Sequence, residues 1–341
     1  MKNYLQWIAE DTASVWWHDS ADTEEALRAI SHGAVGSTTN PVLVSQALES
    51  KRDIIAANAD EIKAAKNGDE KAEAIIKAVT VDLAEKFLPA FEQTNRQNGY
   101  VCAQVNPGKS ADADYMIENA LRINGWAENI SVKLPVTKAG LEAIEECAAL
   151  GVNITATVSF SVAQALAVAE RYEKGYARAL KTGKTPNMCN AVIMVGRLDD
   201  YLRDVAKDRR AGIEERDIIS AGAICAKRAY GIFQKEGYAP LIMPAGMRGA
   251  YHATSFAGAR VRMSIHPTIQ DMILAANPEK IEAIGAPADE AAISRLMQLD
   301  EFVRAYEPDG MKPEEFITYG ATQKTLASFV EAWAKLAVFS L

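Results

Sequence analysis

Eight short runs that read as strands recur along the 341-residue chain, with longer stretches of helical periodicity between them. This alternation constrains the fold more than any other feature, because strand–helix–strand units build parallel sheets covered by helices. The runs lie at residues 14–20, 34–39, 100–105, 129–136, 153–160, 191–197, 240–246 and 260–266. Residues 139–150 follow a cap position at Thr137, and residues 162–181 repeat apolar side chains at three and four spacing, so both are predicted helices. Two further helices, near 41–66 and 70–93, fill the long gap after the second strand. Residues 1–10 read as a short lead-in helix and residues 313–341 as a terminal helical extension.

Eight such units predict an α/β fold of the (β/α)8 TIM-barrel type, with additional helices after strand 2 and at the C-terminus. A barrel of typical length, about 250 residues, leaves room for these additions. No Pro/Gly/Ser-rich linker or low-complexity tract interrupts the chain, so residues 1–341 are expected to form a single barrel domain. The alternative is an open doubly wound sheet. Against it, the first strand-to-helix turn has no Gly-x-Gly-x-x-Gly phosphate loop.

Composition narrows the partners. A net charge of −8 disfavours nucleic acid and anionic membranes, so an anionic small molecule would need a local cluster of arginines. The N-terminal residues lack the apolar core of a signal peptide, and no segment approaches the roughly 18 apolar residues of a membrane span. A cytoplasmic location is expected. Cys102, Cys147, Cys189 and Cys225 show no Cys-x-x-Cys spacing, and His18, His32, His252 and His266 show no ligand spacing, so no metal site is expected.

In a barrel the reacting groups stand at the carboxyl ends of the strands. The fourth run carries Lys133 among apolar neighbours, in Asn129-Ile-Ser-Val-Lys-Leu-Pro-Val136. An ammonium buried there without a partner tends to lose its proton and become a nucleophile toward carbonyls. Taken alone, a lysine that snorkels to water is the simpler reading. The other strand ends deliver Asp19, Thr38-Thr39-Asn40, Gln104, Thr155 and Thr157, Arg197, Arg248, and Ser264 with His266. One amine, one carboxylate, neutral polar groups and two arginines suit a carbonyl compound with an anionic tail. Each residue also has a plainer reading: Asp19 as a helix cap, Thr39-Asn40-Pro41 as a helix entry, and Arg197 in Arg-Leu-Asp-Asp as half of a surface ion pair.

Two segments together resemble the transaldolase family. Gly36-Ser-Thr-Thr-Asn-Pro41 is similar to its Gly-x-Thr-Thr-Asn-Pro signature, and Ile130-Ser-Val-Lys-Leu-Pro-Val-Thr-Lys-Ala-Gly-Leu141 to its Schiff-base lysine signature. Weaker echoes fall at 19–22, 101–107, 157–164, 196–197, 221–233, 245–248 and 263–267, and the length of 170–197 resembles the longer bacterial and plant branch. The resemblance implies a metal-free, cofactor-free class I mechanism in carbohydrate metabolism of the pentose phosphate type. Lys133 would condense with the C2 carbonyl of a ketose phosphate, and Asp19 would take the C4 hydroxyl proton as the C3–C4 bond breaks. Thr157 would position the water of Schiff-base chemistry. Asn40 would hold donor hydroxyls, with Thr39 and Thr155 also assigned to substrate binding, and Arg197 and Arg248 would clamp the phosphate.

The chain departs from the family at several of these positions. The family's glutamate at the end of strand three is Gln104, which cannot relay a proton. The fructose-6-phosphate aldolase branch also has glutamine there but supplies a tyrosine elsewhere, and the strand-six position is Met194. A family asparagine appears as Thr155, a strand-six serine as Val192, and the serine beside the phosphate-binding arginine as Gly246. Three functions are therefore weighed: a transferase acting on sugar phosphates or related anionic ketoses, an aldolase releasing dihydroxyacetone, and a non-catalytic sugar-phosphate binder. Homo-oligomerisation is compatible with a barrel exterior and is not specified by the sequence.

Overall fold

The computed structural model describes residues 2–185 and 187–340. Its centre is one sheet of eight strands: β1 (Val15–His18), β2 (Gly36–Ser37), β3 (Tyr100–Gln104), β4 (Ile130–Pro135), β5 (Ile154–Thr157), β6 (Cys189–Ile193), β7 (Leu241–Pro244) and β8 (Arg262–Ile265). They follow the order β7-β6-β5-β4-β3-β2-β1-β8, and every ladder is parallel. β7 and β8 lie side by side without a ladder, so the sheet curls into a nearly closed (β/α)8 barrel.

Alternation along each strand sets the two faces. In β4, Ile130, Val132 and Leu134 are fully buried beneath the helical layer, while Ser131 and Lys133 share the inner face. The helix Lys138–Leu150 returns directly from the end of β4, capped by Thr137, whose hydroxyl accepts from Gly140 N at 2.9 Å. A Cβ on Gly140 would lie 1.8 Å from the Pro135 carbonyl oxygen, so only glycine permits this return. The helix Val162–Lys181 has the predicted bounds, and a Ser161/Gln164 capping box starts it.

Two expectations are corrected. The sixth strand ends at Ile193, and a helix Val195–Arg209 begins almost at once, so Arg197 stands in its first turn. Val195, Leu198 and Leu202 are buried at helical spacing, and this outweighs the apolar run that reads as strand. The stretch near 41–66 forms three short helices, Pro41–Ala47, Arg52–Ala57 and Ala59–Lys63, and Gly68–Gln93 follows as one long helix. The chain breaks where Lys51 turns inward, 1% exposed, to donate to Asp82 at 2.5 Å and to Thr23.

The lead-in helix is Tyr4–Asp11, and the extension contains Pro313–Phe316 and Gly320–Ala337. Residues Met1 and Leu341 of those two readings lie outside the described residues. The helix Gly320–Ala337 packs on Pro41–Ala47 and Gly68–Gln93 and brings Phe329 over the carboxyl ends of the strands. Three helices that the sequence reading left unassigned, Pro267–Ala276, Glu290–Leu296 and Asp300–Tyr306, lie between β8 and the extension. Among the described residues no helix is long and apolar enough to cross a membrane.

The Lys51–Asp82 pair ties together the segments between β1 and β3. Burial alone would raise the Asp82 carboxyl, but hydrogen bonds from Lys51 and Thr23 hold it below its usual range. Lys51→Met leaves that carboxylate only the Thr23 hydroxyl and the longer 3.4 Å pair with Lys86, and should cost about 2–3 kcal/mol in urea denaturation at neutral pH. A depressed carboxyl contributes stability above its unfolded pKa and loses it as the pH falls through the folded one, so the deficit should shrink below about pH 4. A deficit that persisted unchanged into acid would contradict this assignment.

Candidate functional site

A cavity of 320 Å³ opens at the carboxyl ends of the strands, and Lys133, Asp19, Thr157, Asn40, Arg197 and Arg248 all line it. The volume is at the small end of the roughly 300–1,000 Å³ usual for small-molecule sites. Lys133 is 7% exposed, and its Nζ donates to the Thr39 carbonyl oxygen at 2.9 Å. Among the described residues no carboxylate lies within ion-pair distance of that nitrogen. The Thr39 carbonyl is presented by the turn between β2 and the helix Pro41–Ala47. Asn40 caps that helix, its Oδ1 accepting from Val42 N and Leu43 N at 2.9 and 3.1 Å. Asn40 is thus a cap, as its plainer reading holds, and a lining residue as well. Thr39 faces away, its hydroxyl donating to the Cys102 carbonyl at 2.7 Å.

Asp19 does not cap the helix Thr23–Ser31; Asp22 does, accepting from Glu25 N at 3.0 Å. Asp19 instead accepts the Thr38 hydroxyl at 2.6 Å, and Ser264 Oγ lies 2.7 Å from Thr38 Oγ1. A hydroxyl has one hydrogen, so Ser264 donates to Thr38 and Thr38 donates to Asp19. Thr157 ends β5, and the next residue, Val158, has φ +54°, a left-handed conformation that β-branched residues rarely adopt. Gln164 holds this turn, its side chain accepting from Phe160 N at 2.9 Å and donating to the Val136 carbonyl at 3.3 Å.

Gln104 and Thr155 do not line the cavity. Gln104 is paired in register with Lys133 and is 2% exposed, and its Oε1 is buried with no hydrogen-bond partner among the described residues. Thr155 lies wholly buried on the floor side of Lys133, in a polar layer. Its hydroxyl meets Ser131 Oγ at 2.8 Å and accepts from Asn190 Nδ2 at 3.2 Å. That layer orients the inner face of β4 without reaching the cavity.

The two arginines sit differently. Arg197 is only partly exposed, its guanidinium 5.5 Å from the centre of the Phe329 ring, and it pairs with no carboxylate among the described residues. Burial, and then the neighbouring Arg248, push its pKa down from the ordinary value. The ion pair expected of Arg-Leu-Asp-Asp belongs to Arg248, whose Nε and Nη2 donate to Asp200 Oδ2 at 2.9 and 2.8 Å. Their approach depends on glycine. Gly246 has φ +62°, and a Cβ on Gly196 would lie 2.4 Å from the Gly246 carbonyl oxygen.

Beneath Arg248 is a buried pair. Arg248 N donates to His252 Nδ1 at 3.1 Å, which leaves the imidazole proton on Nε2, directed at Asp199 Oδ2 at 2.8 Å. Asp199 Oδ1 accepts from Gly222 N at 2.8 Å. Burial pushes the Asp199 carboxyl up, against the hydrogen bonds from His252 and Gly222.

The sequence reading missed Phe329, Met243 and Met247, and it named Met194 only as the place where the aldolase branch's tyrosine would be sought. Nothing chemical marks them: Phe329 belongs to an ordinary apolar stripe, and only the fold carries it to the mouth. Chemically, the cavity offers an amine without a counter-ion, a carboxylate fed by a hydroxyl chain, an apolar wall and two guanidinium groups.

The family described as Transaldolase/Fructose-6-phosphate aldolase matches residues 16–338. A transaldolase of Thiobacillus denitrificans is 26% identical over 304 residues, 80% of this chain and 81% of that protein. One from Mycobacterium bovis is 29% identical over 242 residues, 65% of this chain and 62% of that protein. One from Neisseria meningitidis is 29% identical over 196 residues, 55% of each. The chain thus spans about four-fifths of the first relative and less than two thirds of the other two.

His252→Ala would leave the Asp199 carboxylate buried without its main partner and the Arg248 turn untied. A loss of about 2–4 kcal/mol in urea denaturation is expected. An unchanged midpoint would show that the pair does not hold the turn.

Proposed function

The chain belongs to the transaldolase/fructose-6-phosphate aldolase family and is an enzyme of the transaldolase type, and from that premise we propose how its site works. It moves a dihydroxyacetone unit from a ketose phosphate, such as fructose 6-phosphate, to an aldose acceptor through a Schiff base on Lys133. One observation carries the reading: a buried primary amine faces the cavity with a backbone carbonyl as its hydrogen-bond acceptor and no carboxylate beside it. With no carboxylate paired to it, the amine has no fixed ion pair to break before it meets a carbonyl carbon.

Lys133 Nζ attacks the donor C2 carbonyl, and loss of water leaves an iminium that withdraws electrons from the C3–C4 bond. Asp19 removes the C4 hydroxyl proton, that bond breaks, and the shortened aldose leaves. The enamine then attacks the acceptor aldehyde, Asp19 returns the proton, and water releases the product. Thr157 positions that water and Asn40 orients the donor hydroxyls. Gln104, behind Lys133, cannot relay a proton, so proton movement falls to Asp19 and the water at Thr157.

Arg197 and Arg248 bind the phosphate. The phosphate meets Arg197 without displacing a carboxylate, and it competes with Asp200 for Arg248. Met194, Met243, Met247 and Phe329 give the enamine an apolar wall that limits protonation by solvent. That favours transfer over free dihydroxyacetone release, the outcome that Gln104 alone would suggest. Such a transferase acts in cytoplasmic pentose phosphate metabolism and needs no metal or cofactor.

With fructose 6-phosphate as donor, glyceraldehyde 3-phosphate should form in proportion to added erythrose 4-phosphate. Equal production of glyceraldehyde 3-phosphate and free dihydroxyacetone without any acceptor would favour the aldolase instead. Lys133→Ala should lower turnover at least about 1,000-fold while the protein stays folded. Arg197→Ala should raise KM for fructose 6-phosphate about 10- to 100-fold, with a smaller effect on kcat. An unchanged KM would remove Arg197 from phosphate binding.

A further inference from the structure

The opposite end of the barrel holds a second cavity, of 650 Å³, lined by residues at the N-terminal ends of the strands. Three arginines line it, Arg96, Arg260 and Arg262, against one carboxylate, Glu128, which Arg96 already engages at 2.9 Å. On a chain with a net charge of −8, this is a local excess of positive charge.

Arg262, the first residue of β8, is its innermost member and is 8% exposed. Its side chain crosses the barrel floor. Nη1 donates to Asn190 Oδ1 at 3.0 Å, Nη2 donates to the Gln97 carbonyl at 3.1 Å, and the guanidinium lies 5.9 Å from the Trp17 ring centre. Its Nε is buried with no hydrogen-bond partner, and no carboxylate pairs with it, among the described residues. Burial pushes its pKa down to about 10, which leaves it cationic at neutral pH.

A buried cation without a counter-ion is destabilising, and a neutral side chain could fill the floor of a barrel equally well. The neighbouring Arg260 is exposed at the rim and adds to the same field. We propose that the N-terminal mouth of the barrel is a second anion site, with Arg262 as its buried anchor and Arg260 as its outer arm. It takes a phosphate-sized oxyanion, either free or as a small phosphate monoester. The site is separate from the cavity at the carboxyl ends, and it does not depend on the reaction proposed for Lys133.

The test uses the full chain carrying Arg197→Ala and Arg248→Ala, so that the carboxyl-end cavity no longer contributes. Titration calorimetry at constant ionic strength, with inorganic phosphate in one arm and glycerol 3-phosphate in the other, should show one saturable site per chain. Binding in the first arm identifies the free anion as sufficient; binding in the second alone identifies the monoester. Arg260→Ala in this background should weaken binding about fivefold or more, and Arg262→Met should abolish it. If Arg262→Met does not fold, Arg260→Ala decides. No saturable binding in either arm, or binding indifferent to Arg260→Ala, would overturn the proposal.

Discussion

The carboxyl end of the barrel is organised by the hydrogen bond from Lys133 Nζ to the Thr39 carbonyl oxygen, 2.9 Å long and almost shielded from solvent. A long flexible side chain is fixed there without being neutralised by a carboxylate. Much of the local structure serves that bond. Asn40 caps the helix that follows Thr39, Gly140 lets the next helix fold tightly against the end of β4, and the Ser131–Thr155–Asn190 layer supports the inner face below.

The surrounding charges are kept apart by the same economy of contacts. Asp19 is held by a hydroxyl chain from Ser264 through Thr38, so its carboxylate stays beside Lys133's cavity without an ion pair to it. Arg248 is held from beneath by the Asp199–His252 pair and from the side by Asp200, whereas Arg197 rests against Phe329. One guanidinium is thus preset by the Asp200 carboxylate, and the other has no carboxylate partner among the described residues. On the proposed mechanism this asymmetry orients the phosphate tail, while the methionine wall keeps water from the reacting carbon.

Much of this was legible in the sequence because it rests on local patterns. The parallel strands, the helix Val162–Lys181 and the cap at Thr137 follow from periodicity and capping chemistry alone. Arg197 was misplaced on a strand because a run of apolar residues reads the same in a buried strand and in the first turn of a buried helix. Thr155 was read as a mouth residue, yet barrel stagger sets it one layer down, a displacement that no single strand encodes. Phe329, nearly 200 residues from Lys133 in sequence, reaches the site only through the packing of the last helix. Arg262 was invisible for the same reason: its burial and its missing counter-ion are properties of the closed barrel floor, not of its neighbours in the chain.

The central claim is that Lys133 forms a covalent iminium with a ketose phosphate. Incubation with fructose 6-phosphate, borohydride reduction and peptide mass spectrometry test it directly. The account predicts a dihydroxyacetone-sized adduct on the peptide carrying Lys133, formed only when substrate and reductant are both present. No adduct, or an adduct confined to another lysine, would contradict it.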